Sequence, residues 1–212
     1  MPASPTASLQ AESLACERGE LRLFEGISFL LEPGRLLRVR GPNGSGKTSL
    51  LRILAGLTRP AEGRVRWRGE ALGELETEYG GEMLFIGHAA AIKDELTVAE
   101  NLRFSARMSN CPADASACEA ALARLGIERL ARLPARYLSQ GQRRRAALAR
   151  LELAAHMPLW ILDEPFAALD TAASEHVVGL LERHLAGRGM LVLTSHQEVQ
   201  IRAAALQEIA LG

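Results

Sequence analysis

The sequence is short of lysine, of cysteine, of net charge and of long apolar runs, and each shortage excludes something. Its 212 residues carry 25 Lys+Arg against 25 Asp+Glu, so no overall field draws the chain to nucleic acid or an acidic membrane. Arginine supplies nearly all the positive charge; Lys47 and Lys93 are the only lysines. Cys16, Cys111 and Cys118 are odd in number, and the gap between the last two matches no zinc-ligand spacing. Buried thiols in a reducing, cytoplasmic compartment are the expectation. No stretch reaches the roughly 18 apolar residues of a membrane span. Residues 1–8 have neither the basic start nor the apolar run of a signal peptide, and read as a flexible tail.

What is present is ordinary globular composition, 48% hydrophobic and 24% charged, which excludes disorder as the main state. The length suits a single domain over residues 9–212, burying roughly 70% of its unfolded surface. Strand-like and helix-like stretches alternate, the signature of an α/β sheet. Strands are expected at 26–31, 36–40, 64–67, 83–86, 159–162 and 190–194. Helices are expected from Gly46 to about Gly56, from Thr97 to about Gly126 with a break near Cys111-Pro112, from about Ser139 to His156, and over 171–187. A short helix and a strand finish the chain. Thr97 with Glu100 has capping-box spacing. The block from about 97 to 156 is inserted in the α/β pattern and reads as a helical sub-lobe.

Gly41-Pro-Asn-Gly-Ser-Gly-Lys-Thr48 fits G-x-x-x-x-G-K-[ST], the phosphate-binding loop. Its glycines allow a tight bend in which successive N–H groups face one anion, and the following helix adds its positive dipole end. Lys47 can neutralise β- and γ-phosphate charge, and the Thr48 hydroxyl can ligate Mg²⁺. A plain glycine-rich turn is the bland alternative. An apolar strand before the loop and an amphipathic helix after it favour nucleotide binding.

Ligands of a parallel sheet sit at the carboxyl ends of its strands. Leu159-Trp-Ile-Leu-Asp163-Glu164 is an apolar run ending in two acids. Asp163 would hold Mg²⁺, and Glu164 would polarise an attacking water. Met190 to Ser195 is a second such run, followed by His196, which can reach a γ-phosphate or that water. Alone, two acids at a strand end are as often solvated surface, and a lone histidine is more often structural. Loop, acids and histidine at three strand ends weigh against that reading.

With these motifs, Leu138-Ser-Gln-Gly-Gln142 and Ala168-Leu-Asp170 give a chain that resembles the nucleotide-binding domain of ABC ATPases over almost its whole length. The resemblance implies a P-loop NTPase, RecA-like core carrying an antiparallel β sub-lobe and a helical sub-lobe. It implies ATP and Mg²⁺ as cofactors, with ATP held by Gly41 to Thr48, namely Gly41, Pro42, Asn43, Gly44, Ser45, Gly46, Lys47 and Thr48, together with Ser49. It also implies a head-to-tail dimer in which Ser139, Gly141 and Gln142 of a second copy close over each ATP. Independently, Ser139 and Gln142 have capping-box spacing. Arg143, Arg144 and Arg145 crowd a positive helix end, which a partner's phosphate would relieve, or else form a solvated face.

Two departures from the ABC pattern stand out. Gly87-His88 stands where most such domains have a glutamine. A histidine there can contact Mg²⁺ or water, and can exchange a proton near neutrality as glutamine cannot. Arg18 stands where an adenine-stacking aromatic is expected; a guanidinium can stack on a base. His88, its flank to Leu102, Ser139 to Arg145 and Leu159 to Phe166 are similar to the haem-exporter ATPase of the cytochrome c maturation system. That family implies a multispanning membrane partner on the cytoplasmic face of the bacterial inner membrane. An ABC transporter ATPase with other cargo is the alternative. A soluble ABC ATPase acting on DNA or ribosomes lacks support, since the chain has no coiled-coil insertion, second cassette or net basic charge.

Overall fold

A computed structural model describes residues 7–74, 76–109, 111 and 113–212. Residues 1–6 of the expected tail, and the expected Pro112 break residue, lie outside them.

Two sheets organise the chain. Strand β1 (Leu9–Arg18) pairs antiparallel with β2 (Leu21–Leu31) and β4 (Glu62–Trp67), and β5 (Glu70–Ala71) completes the order β2-β1-β4-β5. The second sheet is parallel, in the order β6-β7-β8-β3-β9. Its strands are β3 (Arg35–Arg40), β6 (Met83–Ile86), β7 (Leu159–Asp163), β8 (Met190–Thr194) and β9 (Ala205–Ala210). Every residue of β7 and β8 is buried. The reason is alternation between two cores rather than between core and water. Leu159, Ile161, Met190 and Val192 face the core shared with α1 (Lys47–Leu54) and the antiparallel sheet. Trp160, Leu162, Leu191 and Leu193 face the core shared with the helical layer.

That layer holds α3 (Val98–Met108), α4 (Ala115–Arg124), α5 (Gln140–Leu148) and α6 (Arg150–Leu153). The capping box forms: Thr97 Oγ1 accepts the Glu100 N–H at 3.2 Å, and the Glu100 carboxylate accepts the Thr97 N–H at 2.8 Å. Asn101, buried, ties the preceding loop down through the Lys93 N–H and the carbonyls of Lys93, Leu96 and Thr97. Helix α7 (Thr171–Ala186) is capped by Asp170, whose side chain accepts the Ala173 N–H at 2.9 Å.

Three expectations need correction. The helix expected over 139–156 stops at Leu148 and restarts as the short α6. The short helix expected before the last strand is absent; residues 195–204 form no helix. Val199 and Ile201 pack on the core there, and Arg38 donates to the Val199 carbonyl at 2.8 Å, so the backbone is held open. Strand β1, the two-residue β5 and helix α2 (Glu76–Glu82) were not foreseen. In β1 the pairing with β2 shifts register between Ala11 and Leu14 and again beyond, with Ser13 at φ 48°. Such bulges break the two-residue alternation that reveals a strand. All three cysteines are buried and free, as expected.

Candidate functional site

Four neighbouring strands of the parallel sheet end together. β3 runs into the phosphate loop, β6 into Gly87-His88, β7 into Asp163-Glu164, and β8 into Thr194 and His196. One cavity of about 480 Å³ opens over these ends, lined by Arg18, Leu23, Asn43, Gly44, Gly46, Lys47, Thr48, Ser49, His88, Asp163, Glu164 and His196. Of the residues singled out in the sequence, Arg18, Asn43, Gly44, Gly46, Lys47, Thr48, Ser49, His88, Asp163, Glu164 and His196 line it, while Gly41, Pro42 and Ser45 do not. Ser139, Gly141 and Gln142 do not line the cavity; they start α5 elsewhere on the same copy.

The loop's shape is dictated by close packing. A Cβ on Gly41 would collide with the Leu211 carbonyl and stand 2.5 Å from Ser45 Oγ. Leu211 is there because its N–H donates to the Arg40 carbonyl at 2.8 Å, just after β9. Gly46, at φ 97°, is the residue from which α1 starts. Lys47 is buried, its Nζ donating to the carbonyls of Gly41 at 2.8 Å and Pro42 at 3.0 Å. Its ammonium therefore stands inside the curve of the loop, where an anion's charge would meet it.

Asp163, buried at the end of β7, accepts two hydroxyls. Thr48 donates to Oδ2 and Thr194 to Oδ1, each at 2.7 Å. Thr194 Oγ1 in turn accepts the Glu164 N–H at 2.9 Å. Glu164 Oε2 accepts the His196 N–H at 3.0 Å, while His196 Nε2 lies 3.5 Å from Oε1. Ser45 Oγ and Glu164 Oε1 are buried with no hydrogen-bond partner among the described residues. Buried polar atoms left unpaired are costly, and the one on Glu164, a residue that lines the cavity, suits a polar ligand there.

The sequence reading missed Thr194 and misjudged Arg144. Thr194 was hidden as one more β-branched residue of an apolar strand. The arginine run is neither a bare dipole conflict nor a solvated face. Arg143 pairs with Asp94 at 2.6 Å, Arg145 with Asp170 at 2.5 Å, and Arg144 is buried. Its guanidinium donates to the carbonyls of Gly87 at 2.8 Å, Asp163 at 2.6 Å and Glu164 at 2.7 Å. Burial pulls its pKa below the ordinary guanidinium value, while Asp163 and Glu164 oppose that shift. At the start of α5 the expected capping box is present: Ser139 Oγ accepts the Gln142 N–H at 3.3 Å, and Gln142 accepts the Ser139 N–H at 2.9 Å.

Among the described residues no helix is long and apolar enough to cross a membrane. No group of three or more His, Cys, Asp or Glu side chains gathers there as a protein-only metal centre.

The ABC transporter family model matches residues 24–167. The chain is 50% identical over 204 residues to the cytochrome c biogenesis ATP-binding export protein CcmA of Nitrosospira multiformis, covering 96% of this chain and 98% of that one. It is 51% identical over 196 residues to the protein of the same name from Methylococcus capsulatus, covering 92% and 94%. Among solved structures, a putative ABC transporter ATP-binding protein from Pyrococcus furiosus aligns with a TM-score of 0.80 at 22% identity, covering 95% of this chain and 96% of that one. A dimeric ATP-binding cassette in a post-hydrolysis state, bound to ADP and Pi, aligns with a TM-score of 0.79 at 24% identity, covering 89% and 88%. These two share the fold.

Proposed function

The chain belongs to the ABC transporter ATP-binding family, among the cytochrome c biogenesis ATP-binding export proteins, and we propose that it is the energy-coupling ATPase subunit of a complex that exports or delivers haem for c-type cytochromes. The observation that carries the chemistry is the meeting of phosphate loop, Asp163, Glu164 and His196 on one cavity, where Glu164 Oε1 is buried without a hydrogen-bond partner among the described residues.

Residues 9–212 act as one ATPase domain, with 97–156 as its helical sub-lobe. The N–H groups of the 41–48 bend and Lys47 hold the triphosphate, and Ser49 and Arg18 flank it. A Mg²⁺ ion fits this donor set, since it takes one or two protein oxygens and fills its octahedron with phosphate and water. Thr48 would supply one such oxygen and Asp163 would hold the ion through water, with His88 beside them. The ion would neutralise charge on the β- and γ-phosphates. Glu164 takes the proton of the attacking water, and His196 faces the γ-phosphate. Ser139, Gly141 and Gln142 stand outside this cavity, which supports the reading that a second copy supplies them. Two copies on a multispanning membrane subunit, at the cytoplasmic face of the inner membrane, make the working complex.

The test is to purify the full chain by affinity tag from detergent-solubilised membranes and identify what comes with it. A multispanning haem-handling subunit, with Mg·ATP hydrolysis lost in Lys47→Ala, is the expected result. An unrelated permease would reassign the cargo. Ribosomes or nucleic acid in place of a membrane subunit, or near-normal turnover by Lys47→Ala, would overturn the reading.

A further inference from the structure

Resting on the ATPase reading above, we infer that Arg144 is the positioning residue that holds Glu164 in its working conformation. Glu164 has φ 50°, in the left-handed region that side-chain-bearing residues rarely adopt. Pro165 follows it, and proline drives the preceding residue toward extended backbone. The conformation is thus opposed from two directions, and it persists only because neighbours fix the peptide groups on either side. On the N–H side the neighbour is Thr194 Oγ1, at 2.9 Å. On the carbonyl side Arg144 Nη2 donates at 2.7 Å, beside a longer bond from the Ala167 N–H at 3.2 Å, and the same Nη2 also donates to the preceding Asp163 carbonyl at 2.6 Å.

Among the described residues, all of the hydrogen bonds of this guanidinium go to main-chain carbonyls and none to a carboxylate. Its hydrogen bonds therefore set backbone geometry, while the nearby Asp163 and Glu164 favour its charge. Its planar fork spreads its donors over separate nitrogens in a fixed geometry, a span that a lysine's compact ammonium does not reproduce. Nη1 donates to the Gly87 carbonyl at 2.8 Å, so the strand end carrying His88 is pinned to the acid pair by the same group. Without Arg144, only the Thr194 hydroxyl and the longer Ala167 bond oppose relaxation of the Glu164 backbone toward the extended region. On that relaxation the Glu164 carboxylate leaves the His196 N–H, and the water it should polarise is no longer held in line. The triphosphate contacts of residues 41–48 do not involve Arg144, so ATP affinity is untouched by that relaxation.

The experiment compares wild type, Arg144→Met, Arg144→Lys and Leu148→Ala in the complex of full chain with its co-purified membrane subunit. Leu148 is buried one turn further along α5 and belongs to no part of the site. Turnover is expressed per Mg·ATP-binding site, counted by equilibrium binding. For Arg144→Met, kcat falls by at least about tenfold, less than the roughly 10²–10⁴-fold of losing a general base outright, while KM and Kd for Mg·ATP stay within about threefold. Arg144→Lys falls between the two and carries the test where Arg144→Met does not fold. Leu148→Ala lowers the thermal midpoint and keeps wild-type kcat per binding site. An unchanged kcat in the Arg144 variants, a parallel loss of ATP affinity, or an equal loss in Leu148→Ala would overturn the inference. A wild type without Mg·ATP turnover would instead overturn the ATPase reading beneath it.

Discussion

Thr48 and Asp163 are 115 positions apart in the chain and joined by one 2.7 Å hydrogen bond, from the hydroxyl to Oδ2. Thr194 occupies the other carboxylate oxygen at the same distance. Asp163 therefore accepts a hydroxyl at each oxygen, and Asp163→Asn would turn an N–H₂ toward one of those donors. The variant should lose about 1–3 kcal/mol of folding stability, the cost of leaving a buried group unpaired. Its Mg²⁺ requirement for hydrolysis should also rise, seen as a higher midpoint in a Mg²⁺ titration. An unchanged midpoint would remove Asp163 from the metal role.

Glu164→Gln keeps the shape of the side chain and its contact with the His196 N–H but cannot take a proton. Hydrolysis should fall by roughly 10²–10⁴-fold, the range spanned by general-base losses. ATP should stay bound, and light scattering of the variant with Mg·ATP should report a dimer. Unchanged turnover would assign the base elsewhere, and a monomer saturated with ATP would remove the second copy from the mechanism.

Gly141 lies under the turn after the acid pair: a Cβ there would stand 2.7 Å from the Ala168 carbonyl oxygen. That oxygen is main chain and cannot swing aside. In an open helix, Gly→Ala would stabilise by about 1 kcal/mol. For Gly141→Ala the sign should reverse, with a loss of about 1–3 kcal/mol from overpacking in chemical unfolding. ATP-driven dimerisation of Glu164→Gln should weaken when Gly141→Ala is added. A stabilised variant with unaltered dimerisation would mean that α5 moves off Ala168 without consequence.

The chemistry of the site was legible where it is written in short contiguous motifs. The phosphate loop, the acid pair after an apolar strand, the histidine after another, and both capping boxes can be read from spacing alone. What stayed hidden depends on contacts between distant segments. Thr194 looks like any strand residue until its hydroxyl is seen beside Asp163. Arg144 looks like one third of a surface arginine run until the ends of β6 and β7 are placed against it. β1 was lost to bulges that spoil its alternation, and residues 195–204 are held open by Arg38 from across the sheet. Local pattern gives element type and catalytic alphabet; the packing of one strand end against another decides which polar residues matter.

Far from the strand ends that carry the acids, His184 is buried on α7, stacked on Trp160 with ring centroids 3.8 Å apart and planes 3° from parallel. Its Nε2 lies 3.1 Å from the Met190 carbonyl, which assigns the proton to that nitrogen. Gly189 has no Cβ, and one there would collide with the imidazole ring. Burial pulls the His184 pKa down from 6.5 to about 4, the Met190 carbonyl pulling weakly the other way. Between those values the unfolded chain binds a proton that the folded chain refuses, so stability rises with pH across that window. The contribution is complete above pH 6.5 and drains away as pH falls toward 4, by about 3 kcal/mol in all at 1.4 kcal/mol per pH unit. His184→Phe keeps a flat ring against Trp160 and removes the titration, but leaves the Met190 carbonyl unpaired, at about 1 kcal/mol at every pH. Wild type should therefore be the more stable by about 1 kcal/mol at pH 7.5 and the less stable by about 1 kcal/mol at pH 5, a change of about 2 kcal/mol. Urea unfolding of both proteins at these two pH values decides it. A difference that does not change with pH would show that His184 takes up its proton inside the fold.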